Sequence, residues 1–85
     1  MSLLNLPESA LQVLRVLTKG GPASPREISK KANIPLRTVS FALRHLRGHE
    51  ICKPVPNLLD MRRPQYVVDP DKARAVFRIF GLKVT

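Results

Sequence analysis

Apolar residues recur at helical spacing in four stretches of the chain and alternate briefly in two more. The first helical stretch runs through Ala10, Leu11, Val13, Leu14, Val16 and Leu17, and Gly20-Gly21-Pro22 terminates it. An apolar leader, Met1 to Leu6, precedes it; Asn5 and Glu8 stand three apart, which permits a capping box, and Pro7 suits a first turn. The stripe is wide and the helix carries little charge, so it is expected to be well buried, in part against another subunit.

The second stretch opens on Ser24-Pro25-Arg26-Glu27. A serine cap, a proline at the first helical position and a glutamate at the third satisfy backbone N–H groups that a helix start leaves orphaned. This helix is short, because Asn33 tolerates the left-handed conformation of a sharp turn and Pro35 disfavours helix at Ile34. Ile34 is the apolar plug before a third helix over residues 36–47, with Gly48 expected at the C′ position. At about 100° per residue, Val39, Ala42, Leu43 and Leu46 form the floor of that helix, and Arg37, Phe41 and Arg44 face the other way. Ser40 and Arg47 flank one edge, Thr38 and His45 the opposite one.

After Gly48 the period changes. Ile51, Lys53 and Val55 alternate, with Pro54 restricting the segment to an edge strand. A loop over residues 56–64, too irregular for a two-residue turn, leads to Gln65-Tyr66-Val67-Val68, a second strand. Asp69-Pro70 caps a last helix over residues 72–80, ended by Gly81, with Ala73, Val76, Phe77 and Phe80 on one face. Ala75 and Ile79 make that helix apolar elsewhere too, which points to a homodimer through the first and last helices. The expected class is α+β, mainly α: a three-helix core, a two-stranded β-wing and a C-terminal helix, in a single domain over residues 1–85.

Charge adds the direction of function. Fifteen Lys and Arg against six acids give a formal charge of +9, which suits polyanions, nucleic acid before an anionic membrane. No apolar run is long enough to span a bilayer, and no signal-peptide pattern is present. The single cysteine, Cys52, excludes an internal disulfide framework and fits a cytoplasmic, nucleoid-associated setting. From Ile28 to His49 there is no acid, while Lys30, Lys31, Arg37, Arg44 and Arg47 lie within. Arginine for phosphates and guanine edges, with serine and threonine for either, is the chemistry of a helix entering a DNA major groove. A solvated basic helix of some other small domain carries the same residues.

No catalytic constellation is present: no paired carboxylates, no glycine-rich phosphate loop, and Ser40 and His45 lie on different sides of one helix. His45, His49, Glu50 and Cys52 are near in sequence, but Gly48 interrupts them and there is no dense Cys/His cluster, so neither a metal site nor any cofactor is expected. Cys52 reads as a small buried hydrophobe beside Ile51.

The order of elements resembles the winged helix-turn-helix domains of bacterial and archaeal transcription regulators. The resemblance rests on Glu27-Ile28-Ser29 and Ala32-Asn33-Ile34-Pro35, on the run Thr38 to Leu46, and on Asp60-Met61-Arg62-Arg63-Pro64-Gln65-Tyr66. Thr38-Val39-Ser40 with Leu43 and Leu46 is similar to the recognition helix of the MarR, ArsR and TrmB groups. Asp60-x-Arg62 is similar to the MarR wing, and Arg63-Pro64-Gln65-Tyr66 to the TrmB group. At 85 residues the sequence is shorter than a full MarR regulator, so the long flanking dimer helices of that group and the ligand domain of many TrmB members are not expected in it.

The resemblance implies a sequence-specific regulator of double-stranded DNA. Arg37, Thr38, Ser40, Phe41 and Arg44 would enter the major groove, Arg44 as a bidentate donor to guanine. Arg47, Arg26, Lys30 and Lys31 would meet phosphates, and Arg62 and Arg63 would reach the minor groove or its phosphates, with Asp60 pairing Arg62 or simply favouring the turn. Phe41 would touch a thymine methyl, or pack under the wing or in a dimer contact. Two other functions fit the same residues: a winged-helix protein-interaction module of a transcription or replication assembly, and a non-specific DNA-coating protein.

Overall fold

The computed structural model describes residues 6–59 and 62–79. Asn5, Asp60 with its pairing to Arg62, and the helix end at Phe80 and Gly81 lie outside the described residues. In chain order the elements are α1 (Glu8–Gly20), α2 (Pro25–Ala32), α3 (Leu36–Gly48), β1 (Cys52–Val55), β2 (Gln65–Val68) and α4 (Pro70–Ile79).

Helix α1 starts from Pro7. Pro7 is extended (φ −67°, ψ 159°) and makes no side-chain cap bond; its carbonyl accepts from the Ala10 N–H at 3.0 Å. A residue before proline is steered away from helix, so Leu6 stays outside and the helix opens behind the ring. Helix α2 follows its sequence signal in full. The Glu27 N–H donates to Ser24 Oγ at 3.3 Å, the Ser24 N–H donates to Glu27 Oε1 at 2.8 Å, and Asn33 ends the helix left-handed at φ 58°. At α4, Asp69 Oδ1 accepts from the N–H groups of Asp71 and Lys72 at 3.0 and 3.2 Å.

The end of α3 differs from expectation. Gly48 lies inside the helix, His49 is the cap at φ −96°, and the left-handed residue is Glu50 at φ 58°. The Glu50 N–H donates to Arg47 O at 2.9 Å and the Ile51 N–H to Leu46 O at 2.9 Å, the bond pair of a Schellman ending. This ending places the residue after the left-handed one against the helix. With Glu50 in that place the residue is Ile51, which is buried over buried Leu46; with Gly48 it would have been polar His49. The apolar contact, not the glycine, therefore sets the register.

Glu50→Gly is expected to stabilise the protein by about 0.5–1 kcal/mol, since left-handed strain at a residue with a Cβ outweighs the unfolded-state freedom of glycine. The Glu50–Lys72 pair that the substitution removes (3.5 Å, with Glu50 almost wholly exposed) contributes little. Urea unfolding of both proteins checks this.

The core is one apolar cluster among the described residues. It takes Ala10, Val13, Leu14 and Leu17 from α1, Ile28 from α2, the whole floor Val39, Ala42, Leu43 and Leu46 from α3, and Ala73, Val76 and Phe77 from α4. Leu6, Ala23, Ile51 and Cys52 complete it, and Ile34 and Tyr66 pack against it half-buried. No polar or charged side chain is buried among the described residues. Ala75 and Ile79 face outward on α4.

The strands form an antiparallel hairpin in the register Cys52↔Val68 to Val55↔Gln65. A third partner comes from the segment between α1 and α2: Ala23 and Tyr66 exchange both backbone bonds, at 3.2 and 2.8 Å. Tyr66 thus turns its N–H and carbonyl away from β1. Pro54, paired with Tyr66, has no donor to supply at that position, which is why a proline fits this strand.

Candidate nucleic-acid interface

The turn between α2 and α3 is fixed by backbone geometry and by one side chain. Asn33 turns the chain (φ 58°, ψ 46°), the Ile34 N–H donates to Ser29 O at 3.2 Å, and Ser29 Oγ donates to Ile34 O. Ser29 thereby ties the last turn of α2 to the start of α3, a role its sequence position did not announce. With the floor of α3 buried, Arg37, Ser40, Phe41, Arg44 and Arg47 are exposed and Thr38 is half-buried. Phe41 is 47% exposed and stands edge-on to His45, with ring centroids 4.6 Å apart at 69°. It lies outside the buried core.

Two concave surfaces border this helix. One, of about 680 Å³, is lined by Ser24, Arg26, Glu27, Ser29 and Lys30 of the α2 side, by Leu36, and by Asn57, Leu59, Arg63 and Gln65 of the hairpin. It brings Arg26, Lys30 and Arg63 together, three cations from segments more than thirty residues apart in sequence. Among the described residues its one acid is Glu27, whose carboxylate is taken up by the cap of α2. The Ser24 backbone and hydroxyl bonds hold that carboxyl below its usual value, helped by nearby Lys31. Its contribution to stability is complete above the ordinary carboxylate range and is lost only as pH falls through the lower folded value. The second surface is lined by Pro25, Ser40, Leu43, Arg44, Arg47, Gly48 and Tyr66, so Arg44 and Arg47 flank the base of β2.

Lys31 stands apart from these. It lines a shallow groove with Glu8, Leu11, Gln12, Arg15 and Val16 of α1, and its Nζ lies 3.1 Å from where a Gly20 Cβ would be. The ammonium therefore sits over the C-terminal turn of α1, where the helix dipole favours a cation. Arg62 and Arg63 are both exposed on the wing loop.

Cys52 is buried, and burial pushes its thiol up to about 11, with Arg47 only partly opposing. The thiol stays protonated at neutral pH and is a poor nucleophile. Iodoacetamide at pH 7.5 is expected to label the native protein slowly, in proportion to its rare open state, and to label it fast in 8 M urea; mass spectrometry over time reads this. Among the described residues no three His, Cys, Asp or Glu side chains are grouped to hold a metal, and no helix is long and apolar enough to cross a membrane.

The arrangement is three helices whose third is held out on a turn, followed by a hairpin whose loop carries arginines beside that helix. It superposes on solved structures of regulators. A ZitR variant from Lactococcus lactis matches with a TM-score of 0.79 at 22% identity, over 95% of this chain and 54% of that one. The fold is the winged helix-turn-helix.

The same winged helix-turn-helix is found in a MarR family transcription regulator, with a TM-score of 0.81 at 13% identity over 92% of this chain and 52% of that one. It is found again in FabT of Streptococcus pneumoniae, solved in complex with DNA, with a TM-score of 0.75 at 21% identity over 91% of this chain and 53% of that one. The chain thus spans about half the length of the structures it matches. No protein-family model matches the sequence, and no curated protein matches it. In winged-helix terms α2 and α3 form the helix-turn-helix, β1 and β2 form the wing hairpin, and Ala23 supplies the short third rung of the sheet.

Proposed function

We propose that this winged helix binds double-stranded DNA in a sequence-dependent way and regulates transcription. The observation that carries the reading is the continuity of one basic surface. The exposed side of α3, with Arg37, Ser40, Phe41, Arg44 and Arg47, adjoins a concavity where Arg26 and Lys30 of α2 meet Arg63 of the wing. A duplex presents base edges flanked by two phosphate rows, and this surface offers a helix with hydrogen-bond donors flanked by cations on both sides. FabT, of the same fold, has been solved on DNA.

Arg44 reads a guanine and Phe41 meets a thymine methyl in the major groove. Arg26, Lys30 and Arg47 meet phosphates, and Arg62 and Arg63 reach the minor groove or its backbone. Thr38, half-buried, and Lys31, turned toward α1, contribute least. Two copies associate through α1 and α4, the latter offering Ala75 and Ile79.

The test is selection of bound duplexes from a randomised pool, followed by anisotropy with the recovered site and a scrambled one. An inverted repeat with half-sites about one helical turn apart is expected. Arg44→Ala is expected to lose about 1–3 kcal/mol of preference for the recovered site, whereas Arg62→Ala weakens both duplexes alike. Equal losses on both duplexes for Arg44→Ala would sink base readout. A steep salt dependence with no recovered motif would leave a DNA-coating protein, and no binding at low salt would leave the protein-interaction module.

A further inference from the structure

The wing carries a feature that phosphate contacts and base readout do not use. Leu58 is 88% exposed and Leu59 98% exposed, the most exposed large apolar side chains among the described residues. They do not stand on a shapeless segment: Asn57 Oδ1 accepts from the Leu59 N–H at 3.0 Å, a local turn that holds the tip. Leu59 lines the same concavity as Arg26, Lys30 and Arg63, next to Leu36, itself partly exposed.

We infer that Leu58 and Leu59 form an apolar wedge that enters the minor groove, partly unstacks a base step and bends the duplex. The inference rests on the DNA reading above. An apolar tip beside three cations, with Glu27 of the same concavity engaged in the cap of α2, fits a partner that is anionic outside and apolar between its layers, and stacked bases behind phosphates have that character. A protein or second-copy surface complementary to bare leucines would have to meet Arg26, Lys30 and Arg63 at the same time. Insertion of leucine between base steps kinks a duplex toward the major groove, and the unstacking it costs is offset by the extra surface a bent duplex brings into contact. Pyrimidine–purine steps unstack most readily, so the wedge adds a preference for such a step at the wing position, outside the bases read by α3.

Ring closure by ligase tests this without knowledge of the operator. The probe is a mixed-sequence duplex of about 150 base pairs, one persistence length, which closes slowly by itself. Saturating protein is expected to speed closure by about tenfold or more, as bound kinks bring the ends together. The Leu58→Ser, Leu59→Ser double variant alters only exposed side chains and leaves the fold intact. It is expected to bind the same duplex within about threefold, since the cations remain, and to return closure to the rate of naked DNA.

Wild-type protein that binds without speeding closure overturns the wedge and leaves the DNA reading standing. A double variant that speeds closure as well as wild type overturns it too. A double variant that instead loses self-association in gel filtration, with closure unchanged, assigns the tip to a contact between copies. No binding by the wild type removes the DNA reading and the wedge with it.

Discussion

Leu46→Ala is expected to lower the free energy of unfolding by about 2–5 kcal/mol, the range for emptying a buried leucine site. Leu46 is wholly buried at the centre of the molecule: α3 packs on α1 through its floor, and Ile51 closes over Leu46 at the end of α3. A chain of 85 residues has about 4–13 kcal/mol in total at 0.05–0.15 kcal/mol per residue. The loss is thus between about a sixth of the stability and all of it. Urea titration should show a lower midpoint with an unchanged slope. Leu46→Met, which keeps the volume, should cost less than about 1.5 kcal/mol. A cost for alanine below 1 kcal/mol would mean that α3 is not seated as described.

The second large effect concerns the proposed phosphate contacts. The triple variant Arg26→Ala, Lys30→Ala, Arg63→Ala removes the three cations that share one concavity. Every phosphate left without its cation should reduce the slope of log affinity against log salt by about 0.9, so by about 2.7 together, and binding at 0.15 M salt should fall about a hundredfold. Anisotropy with one duplex between 50 and 200 mM salt reads both quantities. Lys31→Ala is the contrast. Its ammonium lies over the end of α1, so the variant should leave the slope unchanged and cost a few tenths of a kcal/mol in stability. A triple variant with the slope of the wild type would show that these cations do not lie along the phosphates.

Much of the fold was legible wherever a local cap or a clean period spoke for itself. Ser24, Pro25 and Glu27 start α2 by satisfying backbone donors within four residues, and nothing distant is needed. The floor of α3 follows from helical period, because only one side of a helix can face a core; all four of its apolar residues are buried. The features that escaped depend on pairings across the chain. Ala23 is one residue without alternation, and its exchange with Tyr66 exists only because the hairpin folds back beside it. Gly48 has the chemistry of a helix end, yet the end is decided two residues later by what Ile51 can cover.

For the site, the side of α3 that faces outward was readable from the helical wheel, and the exposure of Arg37, Ser40, Phe41 and Arg44 follows it. The separation of Lys30 from Lys31 was not. The two are adjacent and identical in type, but one faces the wing and the other faces α1, a distinction set by how α2 packs. The meeting of Arg26 and Lys30 with Arg63 likewise required the hairpin to return beside α2.

The pairing of Ala23 with Tyr66 also bears on what happens when many copies crowd together. A small hairpin is ordinarily open to recruitment by strands of other molecules along both borders. Here one border of β2 is occupied by the chain's own Ala23, and β1 on the other side is interrupted by Pro54, which cannot donate to a newcomer. Both borders of the hairpin thus carry a feature that discourages edge-to-edge pairing with another copy.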